Sequence, residues 1–209
     1  MKNKNLVVLS LVSIFFIVIC YFFVDRQVVW FAHEHNLRQY SILYFFSDYL
    51  VNIINFTIFF FYIYYFIKML LKNVSDFDAR FLLVANAIVI GQFIKEILKG
   101  VFGRYWAETF RNNNPSLIRD NVYGFNWFKF DSSYASFPSG HATFIFSFVV
   151  CMWILFPKYR WLYSILAFLV VVGQLLQYFH YASDLIAGAL LGTIVAIYTC
   201  CHYKKNIKG

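Results

Sequence analysis

The chain is 209 residues long, 61% hydrophobic and 23% aromatic, with only 13% charged residues. A soluble domain is about 45–50% apolar and about 25% charged, so this balance excludes a soluble enzyme on a single anchor and indicates several membrane spans in one domain over the whole chain. The net charge of +8 comes largely from basic residues beside apolar runs, where membrane topology needs them, and with no nucleic-acid motif present nucleic acid is excluded as a partner.

A first apolar run covers residues 6–24, behind the polar start Met1-Lys-Asn-Lys-Asn5. It is too long for a signal-peptide core and no small-residue cleavage site follows, so it reads as an uncleaved first span. Residues 25–40 mix polar and aromatic groups (Trp30, Phe31, His33, His35) and read as an extramembrane segment, of which an interfacial helix is one form. The second span covers 49–71, close to the ~20 residues that cross a hydrocarbon core. The third covers 81–98 and carries Asn86, Gln92 and Lys95, of which Asn86 and Gln92 are expected to bond between helices. Residues 103–140 hold no membrane-length apolar run, only a turn signal at Asn112-Asn113-Asn114-Pro115 and an aromatic-rich stretch that reads as interfacial packing. A connection of this length without strong structure of its own is commonly functional.

Spans four to six cover 141–156, 161–179 and 185–201, with a tight turn at Pro157-Lys-Tyr-Arg160. Gly188 and Gly192 have the spacing that lets helices approach closely. The expected fold is therefore an all-α integral membrane protein, a six-transmembrane helix bundle with an extracytoplasmic loop between spans three and four. Both termini then share one face with Lys2, Lys4, Lys68, Lys72, Arg80, Lys158, Arg160, Lys204, Lys205 and Lys208, which assigns that face to the cytoplasm. Cys20, Cys151, Cys200 and Cys201 lie in or beside apolar runs, with neither metal-ligand spacing nor a disulfide framework; the last pair suits lipid attachment.

Three blocks meet on the outer face. His180 and Asp184 are four apart and share a helix face, so the carboxylate fixes the imidazole tautomer and frees the other nitrogen as nucleophile or base; a helix-end His bonded to a local Asp explains the pair equally well. Pro138-Ser139-Gly140-His141 opens a helix, and its Ser, Gly and N–H groups can cradle an anion; a capped turn explains the first three residues but not His141. Lys99 and Arg104 add cations at the same depth, where each alone reads as a snorkelling anchor. Together the blocks fit phosphoryl transfer, in which positioning and charge neutralisation do most of the catalysis.

The order Lys99…Arg104, Pro138-Ser139-Gly140-His141, His180…Asp184 resembles the type-2 phosphatidate phosphatase superfamily, which includes bacterial lipid phosphatases and, more distantly, vanadium haloperoxidases. The resemblance implies that His180 is the nucleophile of a phospho-histidine intermediate, oriented by Asp184, and that His141 protonates the leaving oxygen. Lys99, Ser139 and the Gly140 N–H would hold the phosphate, with no metal and no cofactor. Two family arginines are missing: the positions they would occupy hold Trp106 and Gln174. A bidentate guanidinium is not equivalent to either. Arg104 is expected to take over one role, Gln174 to donate a neutral hydrogen bond, and Arg111, Arg119 or Lys129 to supply charge.

The expected function is hydrolysis of a lipid phosphate or diphosphate at the outer leaflet of a bacterial inner membrane, with the active site on the periplasmic face. Phosphorylated membrane lipids are the expected partners: polyprenyl diphosphate, phosphatidylglycerol phosphate, phosphatidate or lipid A. The alternatives are a lipid phosphotransferase and an inactive lipid-phosphate binding or transport protein, although no inverted repeat of the transporter kind is visible. A neutral nucleophile working with a protonated His141 implies a bell-shaped pH dependence.

Overall fold

A chain this apolar must satisfy its backbone hydrogen bonds within each segment, which favours helices throughout. The computed structural model is all-helical: it describes residues 3–110 and 113–207, and among these no β-strand forms, only isolated bridges in the loop. Arg111, Lys2 and Lys208 lie outside the described residues, and so do the side chains of Cys201, Lys204 and Lys205.

Helix α1 (Asn3–Ile19) runs through a wider π-helical turn (Cys20–Val24) into α2 (Asp25–Glu34). Part of the segment expected outside the membrane is thus a direct continuation of the first helix, because no Gly or Pro interrupts residues 6–34. After α3 (Ser41–Tyr44) a second π-helical turn (Phe45–Tyr49) leads into α4 (Leu50–Leu70). Helix α5 (Asp76–Phe102) opens on a capping box between Ser75 and Asp78 and stops at Gly103, whose φ of +54° suits glycine. A side chain there would also fall 1.8 Å from the Asn126 carbonyl oxygen. The loop then carries α6 (Leu117–Asp120), followed by α7 (Gly140–Leu155), α8 (Arg160–Leu176) and α9 (Ala182–Ile207).

Five helices are long and apolar enough to cross a membrane: Lys4–Glu34, Ser41–Leu70, Asp76–Phe102, Pro157–Leu176 and Ala182–Cys200. Six were expected. The odd one is α7, apolar but 16 residues long, about 24 Å against a hydrocarbon core of about 30 Å. Pro138 before it and Pro157 after it limit its length.

Short as it is, α7 is the central post. It packs against α9, α5 and α8 and contributes Phe144, Ile145, Val149 and Cys151 to the main core. Its approach to α9 depends on the two glycines read from the sequence. A Cβ on Gly188 would meet the Ser139 carbonyl oxygen at 2.4 Å, and one on Gly192 the Thr143 carbonyl oxygen at 2.5 Å. Gly188→Ala is therefore expected to push α9 off the first turn of α7 at a cost of about 1–3 kcal/mol; an unchanged thermal midpoint in detergent would show that the helices part without cost. The interhelical bonds expected in α5 are present: Tyr62 donates to Asn86 Oδ1 at 2.9 Å, and Gln92 Nε2 donates to the Gly140 carbonyl at 3.0 Å.

A second, smaller core lies over one end of the bundle, where Val29 and Ala32 of α2 pack with Ala107, Leu117, Tyr178 and Tyr181. The long loop is accordingly better structured than expected. Leu117 N–H and Ile118 N–H donate to the carbonyls of Trp106 and Ala107 at 3.1 Å, and the Asn114 side chain accepts from Phe110 N–H at 2.8 Å while donating to the Glu108 carbonyl at 3.2 Å. Asn and Ser side chains here replace the backbone partners that a helix would give.

Candidate active site

The junction of α8 and α9, the start of α7 and the end of α5 enclose a cavity of about 710 Å³, into which His180, His141, Gly140, Lys99 and Gln174 all reach. His180 sits just before α9 and Asp184 in its first turn, with His180 Nδ1 3.4 Å from Asp184 Oδ2. The carboxylate is saturated from behind. Ser136 Oγ donates to Oδ2 at 2.7 Å, Tyr181 N–H to the same oxygen at 3.2 Å, and Arg104 to Oδ1. An acceptor so fully engaged holds the His180 ring by Nδ1 and leaves Nε2 as the nitrogen without a carboxylate.

His180 is 4% exposed. Burial pushes its pKa down to about 4; Asp184 opposes this, and Lys99 and His141 add to it. The ring is therefore neutral, and its lone pair available, at any ordinary pH.

The Ser139-Gly140-His141 turn is assembled from three directions. Ser139 caps α7, accepting from Ala142 N–H at 3.3 Å; its own N–H donates to the Asp184 carbonyl at 3.0 Å. Gln92 anchors Gly140 from α5, as above. Ser139 is fully buried, so its observed role is to tie the turn to α9, while Gly140 and His141 present themselves to the cavity. His141 Nε2 lies 3.5 Å from Asp48 Oδ1.

Arg104 does not line the cavity. It is completely buried, donating to Asp184, to Ser183 Oγ at 2.6 Å, to Asp25 Oδ2 at 2.8 Å and to the Tyr123 hydroxyl at 2.8 Å. Asp25 in turn accepts from Ser183 N–H at 2.9 Å and from Tyr123 at 3.0 Å. The two carboxylates hold the guanidinium charged, its pKa above the usual arginine range in spite of burial. Arg104 thus bonds Asp184 from behind and is not among the residues that line the cavity. The physical reason is spacing: at the C-cap turn of α5 its side chain enters the bundle behind the His180–Asp184 pair. Gln174 reaches the cavity, but its amide nitrogen donates to the Ser47 carbonyl at 2.9 Å, and its Oε1 has no partner among the described residues. The neutral donor expected there is directed at the protein.

The two departures from the motif have structural consequences. Trp106 places its ring 5.3 Å from the His180 ring and under the Lys99 ammonium at 5.4 Å, so an aromatic wall stands where the sequence pattern would put a cation. Of the loop cations, Lys129 lines the cavity, whereas Arg119 pairs with Asp120 and Asn113 within the loop. A further cation was not selected from the sequence. Lys95, one helical turn before Lys99, is 7% exposed, pairs with Glu96 and lies against Gly140, where an added Cβ would be 3.4 Å from its Nζ. Asp25, Asp48, Tyr123, Ser136 and Ser183 were also passed over. An ionisable residue at the edge of an apolar run is the signal that could have found the two aspartates.

The family described as the PAP2 superfamily matches residues 80–208. Over 120 residues the chain is 27% identical to a lipid A 1-phosphatase of Rhizobium etli, covering 57% of this chain and 49% of that protein. It is 29% identical over 118 residues to a lipid A 1-phosphatase of Rhizobium johnstonii (56% and 46% covered). It is also 30% identical over 111 residues to the bacitracin transport permease protein BcrC of Bacillus licheniformis (53% of each). The matches span about half the length of these curated relatives. No solved structure matches significantly. A multi-pass helical chain with this His–Asp pair, this Ser-Gly-His turn and a family match over most of its length belongs to the PAP2 superfamily.

Proposed function

We propose that the protein is a membrane-embedded phosphatase that hydrolyses a lipid phosphomonoester or diphosphate through a phosphohistidine at His180. The observation that carries this reading is a buried His180 held by Asp184 at the wall of a cavity that also receives Lys95, Lys99, Lys129 and His141. His180 Nε2 attacks phosphorus; the bond to the lipid oxygen breaks, and His141 gives that oxygen a proton. Water, losing a proton to His141, then attacks phosphorus, the P–N bond breaks, and inorganic phosphate leaves with both imidazoles restored. Lys99 and the Gly140 N–H hold the phosphoryl oxygens, Ser139 fixes that turn, and Lys95 and Lys129 supply charge that the missing arginines do not. No metal or cofactor has a step. The relatives named lipid A 1-phosphatase favour lipid A as the class to test first.

In this reading α7 counts as a sixth, short crossing inside the bundle, the termini are cytoplasmic, and the cavity opens on the outer face of the inner membrane. Purified protein is expected to release phosphate from at least one of lipid A, phosphatidate, phosphatidylglycerol phosphate and polyprenyl diphosphate, with the rate unchanged in excess chelator. Loss of lipid phosphate without matching free phosphate would indicate transfer to a second lipid. Activity that chelator abolishes and a divalent cation restores would overturn the mechanism.

A further inference from the structure

We infer that Asp48, on the second membrane-crossing helix, is the positioning residue for His141: it fixes which nitrogen of that ring carries the hydrogen bond and which delivers the proton to the leaving oxygen. This inference rests on the phosphatase reading above. Asp48 lies outside the segment that matches the family, residues 80–208, and outside the three motif blocks.

Asp48 sits within the π-helical turn Phe45–Tyr49, between α3 and α4. Such a turn inserts an extra residue into a helix and re-aims the side chains around it. From there Asp48, Asn52 and Asn55 follow at helical spacing on one face, and all three line the cavity. An ionisable group on an otherwise apolar spanning helix that faces a cavity is costly to place and marks function.

The pair is built. Asn52 Nδ2 donates to Asp48 Oδ2 at 2.9 Å, which leaves Oδ1 to face His141 Nε2 at 3.5 Å. His141 is fixed from below, since the first turn of α7 is anchored by Gln92 at Gly140 and by the Ser139 cap. With the backbone held and Nε2 facing Asp48, Nδ1 is the nitrogen left for the leaving group. The arrangement mirrors the nucleophile: His180 faces Asp184 through Nδ1 and keeps Nε2 for phosphorus. Each histidine thus has its own carboxylate, from different helices. During the first step the Nδ1 proton passes to the departing alkoxide oxygen as the P–O bond breaks. Asp48 keeps its bond to Nε2–H throughout and changes neither charge nor partner.

The test separates orientation of the acid from general structure through the leaving group. Wild type, Asp48→Asn and Asp48→Glu, purified in detergent, are compared on dodecyl phosphate and 4-octylphenyl phosphate. The alkoxide needs a proton to leave, whereas a phenolate, of conjugate acid pKa about 10, leaves with far less help. On the alkyl ester Asp48→Asn is expected to lose about 10–100-fold in kcat with KM within about threefold. On the aryl ester the loss stays within about threefold, and Asp48→Glu recovers part of the alkyl activity. Wild-type turnover of the alkyl ester by Asp48→Asn, or equal losses on both esters, overturns the inference. If wild type releases phosphate from neither ester nor from any lipid of the panel, the phosphatase reading falls, and this inference with it.

Discussion

Replacing His180 by alanine is expected to lower phosphate release by about 10⁴-fold or more, with the protein still folded. The expectation of an intact fold follows from the Asp184 environment. When the imidazole goes, Arg104, Ser136 and the Tyr181 N–H still satisfy the carboxylate, so no buried charge is orphaned. The same variant reads out the ring's titration. The folded-state value of about 4 lies below the 6.5 of an unfolded histidine. Between those values the unfolded chain binds more protons, so His180 makes the wild type lose stability as pH falls from 6.5 to 4, and adds no further loss below. His180→Ala should lack that component, and its thermal midpoint in detergent should fall less than that of wild type over that window. In the wild type, loss of the neutral nucleophile should set in only toward pH 4. Wild-type turnover by His180→Ala would remove the phosphohistidine from the mechanism.

The parts of the site that follow local rules were legible in the sequence. His180 and Asp184 meet as their spacing suggested, although not on one helix face: His180 lies in the bend before α9 and Asp184 in its first turn. The Ser-Gly-His turn caps a helix because those residue types do so anywhere. Gly188 and Gly192 announced the close approach of α7 and α9, which the clash distances at both positions bear out. What was not legible depends on long-range placement. Arg104 is close in sequence to Lys99, but its partners Asp25, Tyr123 and Ser183 come from three other segments, and no spacing rule connects residue 104 with residue 25. The unbroken continuation of the first helix past Val24 was not legible, because polar residues signal an exit from the membrane and say nothing of helix continuity. Here one of them, Asp25, is 1% exposed and has turned into the bundle to meet Arg104. The extent of α7 was read to within one residue, 141–156 against Gly140–Leu155, and what apolar character alone did not show is that 16 residues fall short of the length that crosses a membrane.

Arg104→Ala is expected to cost about 3–5 kcal/mol of stability and to abolish activity through loss of fold and geometry, with no selective rise in KM. The guanidinium is buried between the carboxylates of Asp25 and Asp184 and ringed by Tyr21, Tyr123, Phe125 and Tyr181, whose centroids lie 4.3–5.2 Å from it. Removing it leaves two like charges facing each other in a space closed to water, a worse state than removing a charge of each sign. Arg104→Met combined with Asp25→Asn should therefore melt above Arg104→Ala, because Asp184 retains Ser136, Tyr181 N–H and His180 while the second carboxylate is gone. A phosphate ligand behaves differently. Its loss would leave the thermal midpoint unchanged and appear as weaker substrate binding and weaker inhibition by inorganic phosphate, the pattern expected instead of Lys99→Ala. If Arg104→Ala melts with wild type and only its KM rises, Arg104 contacts substrate and the bracing role is wrong. If it melts early and the double variant recovers, the first helix is a working part of the site, because Asp25 then supplies the charge that keeps Arg104 behind Asp184, and Asp184 behind His180.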